Sequence, residues 1–434
     1  MDKRIRQNTA VAMNEAGVYL LPLVLIVSLF FLWGMATNLN DILITHFKKA
    51  FALNDLQSGF VQAAFYSGYF CFSIPAAMLM QRLGYKGAVI CGLLLYGAGA
   101  LLFYPAAEAQ QYGFFLFALF IIASGLAFLE TSANPLIVVM GKPHTAARRL
   151  NLAQSFNPLG AITGVLIGRE FIFSGVEHSS AEQASMSAAE LILYRQAEIE
   201  AVQAPYLAIA LVVLLCAGIV LFTRFPTIAT TTKDTASSNL SLRQFKALFA
   251  HKIFVAGVVT QFFYVGAQVG VWSFMIRYGQ TAQPNSGEKT LAVYLVWSLF
   301  AFMVGRFIAT ASMRLIPPAK LMWIFAIINI GLTLVAILSP NAWGFYALVS
   351  TSFFMSLMFP TIFALSLSGL GSLTKLASSF LVMAIIGGAV LTALMGFISD
   401  LSSINTAMLV PLMSYVVVAW FARQNLKQDK GGEV

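Results

Sequence analysis

Twelve long apolar runs are the feature of this sequence that most restricts its fold. Each run carries few or no charges and approaches the roughly 20 residues that a helix, rising about 1.5 Å per residue, needs to cross a bilayer. In hydrocarbon, only α-helices and closed barrels satisfy the backbone hydrogen bonds, and runs of this length without strict alternation exclude a barrel. The sequence therefore predicts an all-α polytopic membrane protein.

Composition supports the same fold class. The 434-residue chain is 59% hydrophobic and only 10% charged, whereas soluble chains are about 25% charged because they need polar surface. The runs predict twelve transmembrane helices, at residues 18–46, 59–81, 87–106, 113–140, 150–174, 206–222, 253–278, 291–313, 321–339, 343–368, 376–398 and 405–421.

The distribution of positive charge along the chain indicates its membrane topology. If both termini lie on one side of the membrane, 19 of the 26 Lys and Arg residues fall on that side, and Arg306 falls inside a span. By the positive-inside rule, this bias predicts that both termini are cytoplasmic. The net charge of +9 then gives no reason to expect a nucleic-acid partner. The other six basic residues lie opposite: Lys48, Lys49, Arg169, Arg195, Arg277 and Lys289.

The twelve spans divide into two sets of six. We predict a cytoplasmic N-terminus at 1–17, a first six-helix half at 18–222, a polar cytoplasmic linker at 223–252, a second half at 253–421 and a cytoplasmic C-terminus at 422–434. Phe30, Phe31 and Gly34 recur as the similarly spaced Phe262, Phe263 and Gly266, which favours duplicated, pseudo-symmetric halves. Two such halves around a central cavity are the plan of major facilitator carriers.

Other classes of protein have little support. Cys71, Cys91 and Cys216 all fall within predicted spans, so neither a disulfide framework nor a metal site is expected. The chain has no HExxH, GxSxG or Walker A motif, so no catalytic residues, enzyme activity or ATP-driven transport are predicted. The basic N-terminus leads into a long span without a signal-peptidase site, so the first helix is expected to be retained.

The first predicted span carries a narrow polar face. Gly34, Thr37, Asn38 and Asp41 recur at helical spacing, and Asp41 lies about 10 Å along the helix from Lys48. An ionisable group within a span is costly and is therefore a functional hypothesis. The alternative is an aspartate near a helix end that simply reaches water.

Glu130 and Arg306 are the other two intramembrane ionisable residues. Glu130 lies about 18 Å from Lys142 by helix rise, where lost solvation favours its protonated form. Together with Asp41 it would form a proton relay; alternatively, Glu130 is permanently neutral and bridges helices. Arg306 could act as a counter-ion for a carboxylate, donate to the substrate, or extend toward the membrane surface and do neither.

Uncharged polar residues form two further stripes. Asn151, Gln154 and Asn157 recur every three residues in the fifth span, just before a proline that is expected to loosen the helix. Tyr264, Gln268 and Trp272 recur every four residues in the seventh. Amides suit vicinal sugar hydroxyls and aromatic rings suit the apolar face of a pyranose, but such residues also join membrane helices to one another.

Several segments in the same order resemble the L-fucose permeases, which are fucose:proton symporters. They are residues 29–33, 38–43, 129–135, 151–157 and 264–268. The resemblance implies a major facilitator fold, protonatable groups at Asp41 and Glu130, and a polar pair near the sugar at Gln154 and Asn157. It also implies the proton as coupling ion and no cofactor. Glucose/galactose carriers are similar too, but commonly have Gln at position 130.

The sequence therefore predicts a secondary active transporter that carries a monosaccharide, L-fucose first among candidates, together with a proton by alternating access. Its expected location is the bacterial inner membrane, where it would work as a monomer among lipids. The candidate sugar contacts are Asn38, Gln154, Asn157, Tyr264, Gln268 and Trp272, and no metal site is predicted. Open alternatives are glucose, galactose or N-acetylglucosamine as substrate, sodium as coupling ion, and a receptor or channel.

Overall fold

The structure is a computed structural model that describes residues 24–40, 43, 44, 46–48, 50–53, 55–140, 142–167, 171, 172, 186–223, 242–284, 286 and 288–431. All regular secondary structure within these ranges is helical. Large apolar side chains on the outer surface, among them Leu215 at 65% and Trp297 at 59% exposure, face the space that lipid would occupy.

The first half contains six spans. The first is helical over Val24–Asn40. The second and third form one helical element, Asp55–Leu101, which turns at Gly84. The fourth is Tyr112–Val139, the fifth consists of Ala146–Gln154 and Asn157–Ile167, and the sixth is Gln203–Phe222. Gly84 has a φ of 72°, a left-handed conformation that glycine adopts without a Cβ penalty.

The second half repeats this plan. The seventh, eighth and ninth spans are Lys252–Ala282, Glu288–Ser312 and Pro318–Leu338. The tenth consists of Ala342–Met355 and Met358–Leu367. The eleventh runs as Thr374–Met383, a short 3-10 turn and Gly387–Leu401, and the twelfth as Ile404–Ala407 and Leu409–Gly431.

The predicted count of twelve agrees with this architecture. Within the described part of the chain, nine helical stretches have the length and hydropathy to cross a membrane. One of them, Phe60–Ala109, contains both the second and the third span. The first span and the two pieces of the fifth fall below that length because they are short or broken.

Two shorter helices lie in connections between the predicted spans. Ala188–Glu200 precedes the sixth span, and Ser187 starts it with a capping box in which the Ser187 backbone N–H donates to the Glu190 carboxylate at 2.8 Å. Leu242–Ala250 lies in the predicted linker. Phe245 and Phe249 of this helix pack against Phe380 of the eleventh span, which holds it against the bundle.

The two halves use the same packing device. A Cβ at Gly160 in the fifth span would collide with the backbone carbonyl of Phe31 in the first, and a Cβ at Gly387 in the eleventh would collide with that of Phe262 in the seventh. Small residues allow membrane helices to approach this closely. The equivalent contacts in the two halves agree with the duplicated, pseudo-symmetric plan.

Side chains connect the two halves near one end of the bundle, here called the basic end because Lys86, Arg148, Arg149, Lys320 and Lys375 lie there. Lys375 Nζ of the eleventh span donates to the Met80 carbonyl of the second at 3.2 Å and lies over the ring of Tyr85. Asn151 Nδ2 donates to Thr361 Oγ1 of the tenth span at 3.0 Å.

Candidate functional site

Glu130 is completely buried in the fourth span. Neither carboxyl oxygen accepts or donates a hydrogen bond among the described residues. Burial of an ionised carboxylate without partners costs far more than burial of the neutral acid. The site is therefore suited to a carboxyl group that gains and loses a proton, provided that partners become available to the ionised form.

Asn134 lies one helical turn after Glu130, on the same face of the fourth span. Its Oδ1 accepts a 2.9 Å hydrogen bond from Nε2 of Gln154 in the fifth span. All three side chains are buried, and Nδ2 of Asn134 has no partner among the described residues. A polar track thus leads from Glu130 to Gln154 inside the first half.

Arg306 continues this track into the second half. It is 3% exposed, its Nη1 donates to the Gln154 carbonyl at 2.9 Å, and its Nε donates to the Ser356 carbonyl at 2.7 Å. Its guanidinium also lies 4.5 Å from the ring centroid of Phe302. These contacts hold the side chain inside the bundle, and it forms no ion pair within the described part of the chain.

Prolines provide the carbonyls that Arg306 binds. In a helix, the carbonyl four residues before a proline has no N–H partner. Pro158 leaves the Gln154 carbonyl free in this way, and Pro360 leaves the Ser356 carbonyl free. The fifth and tenth spans break at these points, and one guanidinium satisfies both carbonyls.

Pro135 in the fourth span has the same effect on Thr131. The freed Thr131 carbonyl accepts a 2.9 Å hydrogen bond from Ser378 Oγ of the eleventh span. A contact between the halves therefore lies next to Glu130 in sequence.

The break in the fifth span separates Asn157 from Gln154, so the predicted single polar stripe is wrong for this residue. Asn157 begins the second helical piece, and its Nδ2 donates to the Phe30 carbonyl of the first span at 3.3 Å. The Asn157 carbonyl packs so closely on Gly34 that a Cβ there would collide with it. Asn157 thus belongs to the contact between the first and fifth spans.

The polar face of the first span is only partly described. Asn38 is half-buried and its Nδ2 donates to the Gly34 carbonyl at 3.2 Å, within its own helix. Asn40 is buried, and its Nδ2 donates to Gln62 Oε1 of the second span at 3.2 Å. Asp41 lies outside the described residues, so the structure places only one of the two predicted carboxyl groups.

The polar stripe of the seventh span faces the tenth. The hydroxyl of Tyr264 donates to the Met355 carbonyl at 2.9 Å, and Trp272 Nε1 donates to Ser352 Oγ at 3.1 Å. Gln268, between them, is half-buried and forms no hydrogen bond with any described residue. Its amide is the member of the stripe that is free to bind a ligand.

Six of the predicted residues therefore fall into two groups. Glu130, Gln154 and Arg306 are joined by Asn134 and the fifth-span backbone, while Tyr264, Gln268 and Trp272 line the tenth span. Sequence reasoning missed Asn134, Ser352 and Ser356. Two signals were available in the sequence: Asn134 lies four residues after Glu130, and Ser356 lies four residues before Pro360.

Cys71, Cys91 and Cys216 are free thiols. Asp400, at the end of the eleventh span, has a side chain that is 79% exposed and lies 4.0 Å from Arg277. Within the described ranges, no three His, Cys, Asp or Glu side chains are grouped as a metal site would require.

Comparison with known proteins identifies similar sequences over almost the whole chain. Residues 25–392 match the Major Facilitator Superfamily. The L-fucose-proton symporter of Escherichia coli K12 is 42% identical over 412 residues, which cover 94% of each protein. A glucose/galactose transporter of Brucella abortus is 36% identical, with 91% of each protein covered. These matches confirm the resemblance drawn from the sequence motifs.

A solved structure has the same architecture. The crystal structure of FucP, a Major Facilitator Superfamily transporter in the outward conformation, superposes with a TM-score of 0.87 at 42% sequence identity. The match covers 94% of this chain and 99% of that one. It confirms the predicted fold of two six-helix halves.

Proposed function

We propose that this chain, which belongs to the Major Facilitator Superfamily, is a symporter that moves L-fucose together with a proton across the bacterial inner membrane. The similar E. coli protein is named an L-fucose-proton symporter. The relatives compared above are transporters, and the chain is accordingly a carrier and not an enzyme. The proton is the coupling ion, and no cofactor is needed.

The observation that carries this proposal is Glu130, a wholly buried carboxyl group with no hydrogen-bond partner in the described structure. Such a group is stable when neutral and costly when charged. If sugar binding favours the neutral form, then by linkage protonation favours sugar binding by the same factor. Asp41 of the first span is the second carboxyl group in this proposal and exchanges the proton with the outer solution.

The sugar contacts we propose come from both halves. Gln154 of the first half and Gln268 and Trp272 of the second offer amide groups and an aromatic ring. Tyr264, Asn38 and Asn157 are better supported as positioning groups because the Tyr264 hydroxyl and the amides of Asn38 and Asn157 bond to backbone carbonyls. Arg306 bonds the Gln154 and Ser356 carbonyls, which supports a role as a tie between the halves.

We assign the basic end of the bundle to the cytoplasm, with both termini and the 223–252 linker there, by the positive-inside rule. The chain is then a multi-pass inner-membrane protein with halves at 18–222 and 253–421, surrounded by lipid. One polypeptide contributes both halves of the site, so a monomer is sufficient for transport.

A panel of sugars in a proton-uptake assay tests the proposal. Purified protein in liposomes receives L-fucose, galactose, glucose or N-acetylglucosamine, and the external pH is recorded. L-fucose should give the largest alkalinisation. A response to glucose or galactose without one to L-fucose would instead support the activity named for the 36% identical relative.

A receptor or channel is the rival from another class. Counterflow separates it from a carrier, because only a carrier exchanges external labelled sugar for internal unlabelled sugar and so accumulates the label transiently. Absence of counterflow with every sugar in the panel would contradict the proposal.

A further inference from the structure

We propose that Asn134 is the positioning residue through which the protonation of Glu130 controls the side chain of Gln154. This inference rests on the proposed function, since it concerns how one site couples a proton to a sugar. It gives a role to a residue that is neither an acid nor one of the proposed sugar contacts.

The geometry singles out Asn134. It lies one turn from Glu130 on the fourth span and is completely buried. Its amide oxygen accepts from Gln154 Nε2 at 2.9 Å, while its amide nitrogen has no partner among the described residues. The two carboxyl oxygens of Glu130 have none either. The unused donor of Asn134 and the unused acceptors of Glu130 therefore lie on the same face of one helix.

Ionised Glu130 can only accept hydrogen bonds. Asn134 Nδ2 is an unpartnered donor on the same face of the helix as Glu130, whereas the unpartnered Thr131 hydroxyl belongs to the next residue and does not share that face. A bond to a carboxylate is about twice as strong as one between neutral groups. That bond would fix the Asn134 amide with its oxygen toward Gln154. Gln154 Nε2 is then held by Asn134 and is withdrawn from the sugar.

Protonation of Glu130 reverses this arrangement. The neutral acid loses the charge-assisted bond and gains an O–H donor, which competes with Gln154 for the oxygen of Asn134. Gln154 Nε2 becomes available to a sugar hydroxyl. The proton thus raises sugar affinity, and the sugar raises proton affinity by the same factor.

Other titratable groups near Glu130 do not replace this path. Tyr69 of the second span faces Glu130, but a phenol has an ordinary pKa of about 10 and stays neutral over the working range. Arg149 of the fifth span donates to the Ile137 and Val138 carbonyls at the basic end, and Lys375 of the eleventh donates to Met80. Among the described residues, Arg306 of the eighth bonds the fifth span at the Gln154 carbonyl.

The test measures L-fucose affinity of the full-length protein in detergent from about pH 5 to about pH 8. We expect the affinity of the unmodified protein to be at least about fivefold higher at the acidic end. Asn134→Leu, which keeps the branched shape at a larger volume and removes both polar atoms, should reduce this change to less than about twofold. In liposomes it should also lower the number of protons taken up per sugar while counterflow continues.

Asn329→Leu is the matched control. Asn329 is a completely buried amide of the ninth span whose side-chain atoms also lack partners among the described residues, and it has no connection to Glu130. Its substitution should leave both the pH dependence and the proton-to-sugar ratio unchanged. If Asn329→Leu alters them as much as Asn134→Leu does, the effect of Asn134 is one of packing and the proposal is wrong.

Two further variants keep the test decisive if Asn134→Leu does not fold. Asn134→Ser is smaller and still polar, but it is too short to bridge Glu130 and Gln154, so it should also flatten the pH dependence. Asn134→Ser combined with Glu130→Gln should show no additional flattening over Glu130→Gln alone, because both act on one path.

The outcomes separate this inference from the proposed function. If the unmodified protein takes up no protons with L-fucose, the function itself is wrong. If it does, and an Asn134 variant retains the full pH dependence of affinity and the full proton-to-sugar ratio, symport stands and the role of Asn134 is refuted.

Discussion

The Nη1 atom of Arg306 donates a 2.9 Å hydrogen bond to the backbone carbonyl of Gln154, the carbonyl that Pro158 leaves without a helical donor. The same guanidinium bonds the Ser356 carbonyl, which Pro360 leaves free. One buried cation therefore satisfies a helix break in each half. This gives Arg306 a structural task at the boundary between the halves.

Arg306→Leu should destabilise the protein strongly. Two buried carbonyls lose charged donors, which corresponds to about 2 kcal/mol or more of unfolding free energy. Thermal unfolding in detergent measures the effect. Arg277→Leu is the control, because the Arg277 side chain is 54% exposed and its ion pair with Asp400 is long, so little change is expected. Equal losses in the two variants would contradict the structural task of Arg306.

Pro158→Ala should weaken the tie between the halves by another route. The new N–H at position 158 can bond the Gln154 carbonyl within the helix and so compete with Arg306. We expect slower L-fucose counterflow without loss of folded protein. Pro75→Ala in the second span should have little effect on counterflow, because no described side chain of the other half binds the Cys71 carbonyl that Pro75 leaves free. If both substitutions slow it equally, the competition is not the cause.

Gln268→Ala and Tyr264→Phe should have opposite effects although the residues lie one turn apart. The Gln268 side chain forms no hydrogen bond with any described residue. Its loss should therefore weaken L-fucose binding about 2- to 10-fold and leave stability unchanged. Tyr264→Phe leaves the Met355 carbonyl without its donor and should cost about 1 kcal/mol of stability with little change in affinity. Calorimetric binding and thermal unfolding measure the two effects. The reverse pattern would exclude Gln268 as a sugar contact.

Gly160→Ala and Gly387→Ala should destabilise the protein to a similar extent. Each added methyl group meets a backbone carbonyl of a neighbouring span, Phe31 in one half and Phe262 in the other, and such overpacking costs about 1–3 kcal/mol. Gly331→Ala in the ninth span is the control, since a Cβ there meets open space. Thermal unfolding of the three variants checks the result. If only one of Gly160→Ala and Gly387→Ala lowers the unfolding temperature and the other behaves like Gly331→Ala, the two halves do not share this packing.

Periodicity and burial explain why much of the fold follows from the sequence. A bilayer leaves helices as the only regular structure for long apolar runs, so the twelve spans and their division into halves were predictable. The position of Glu130 well inside its helix could be predicted from residue spacing, because this span is unbroken from Tyr112 to Val139.

Helix breaks explain most of the site features that could not be predicted from the sequence. Spacing of three residues placed Asn151, Gln154 and Asn157 on one face, but Pro158 breaks the helix and turns Asn157 toward the first span. Arg306 left three interpretations open because its partners are backbone carbonyls, which carry no sequence signal except the proline four residues later. Asn134 was missed because, unlike Gln154 and Gln268, it is not part of a regular repeat of three uncharged polar residues along its span.

Proton uptake driven by L-fucose tests the central claim most directly. Liposomes containing the unmodified protein or Glu130→Gln, with no sodium present, receive L-fucose while the external pH and the counterflow of labelled L-fucose are recorded. We expect the unmodified protein to alkalinise the medium, and Glu130→Gln to abolish that response while retaining counterflow, because the amide fills the same space and cannot ionise. Full proton uptake by Glu130→Gln, or a strict requirement for sodium in the unmodified protein, would contradict the account.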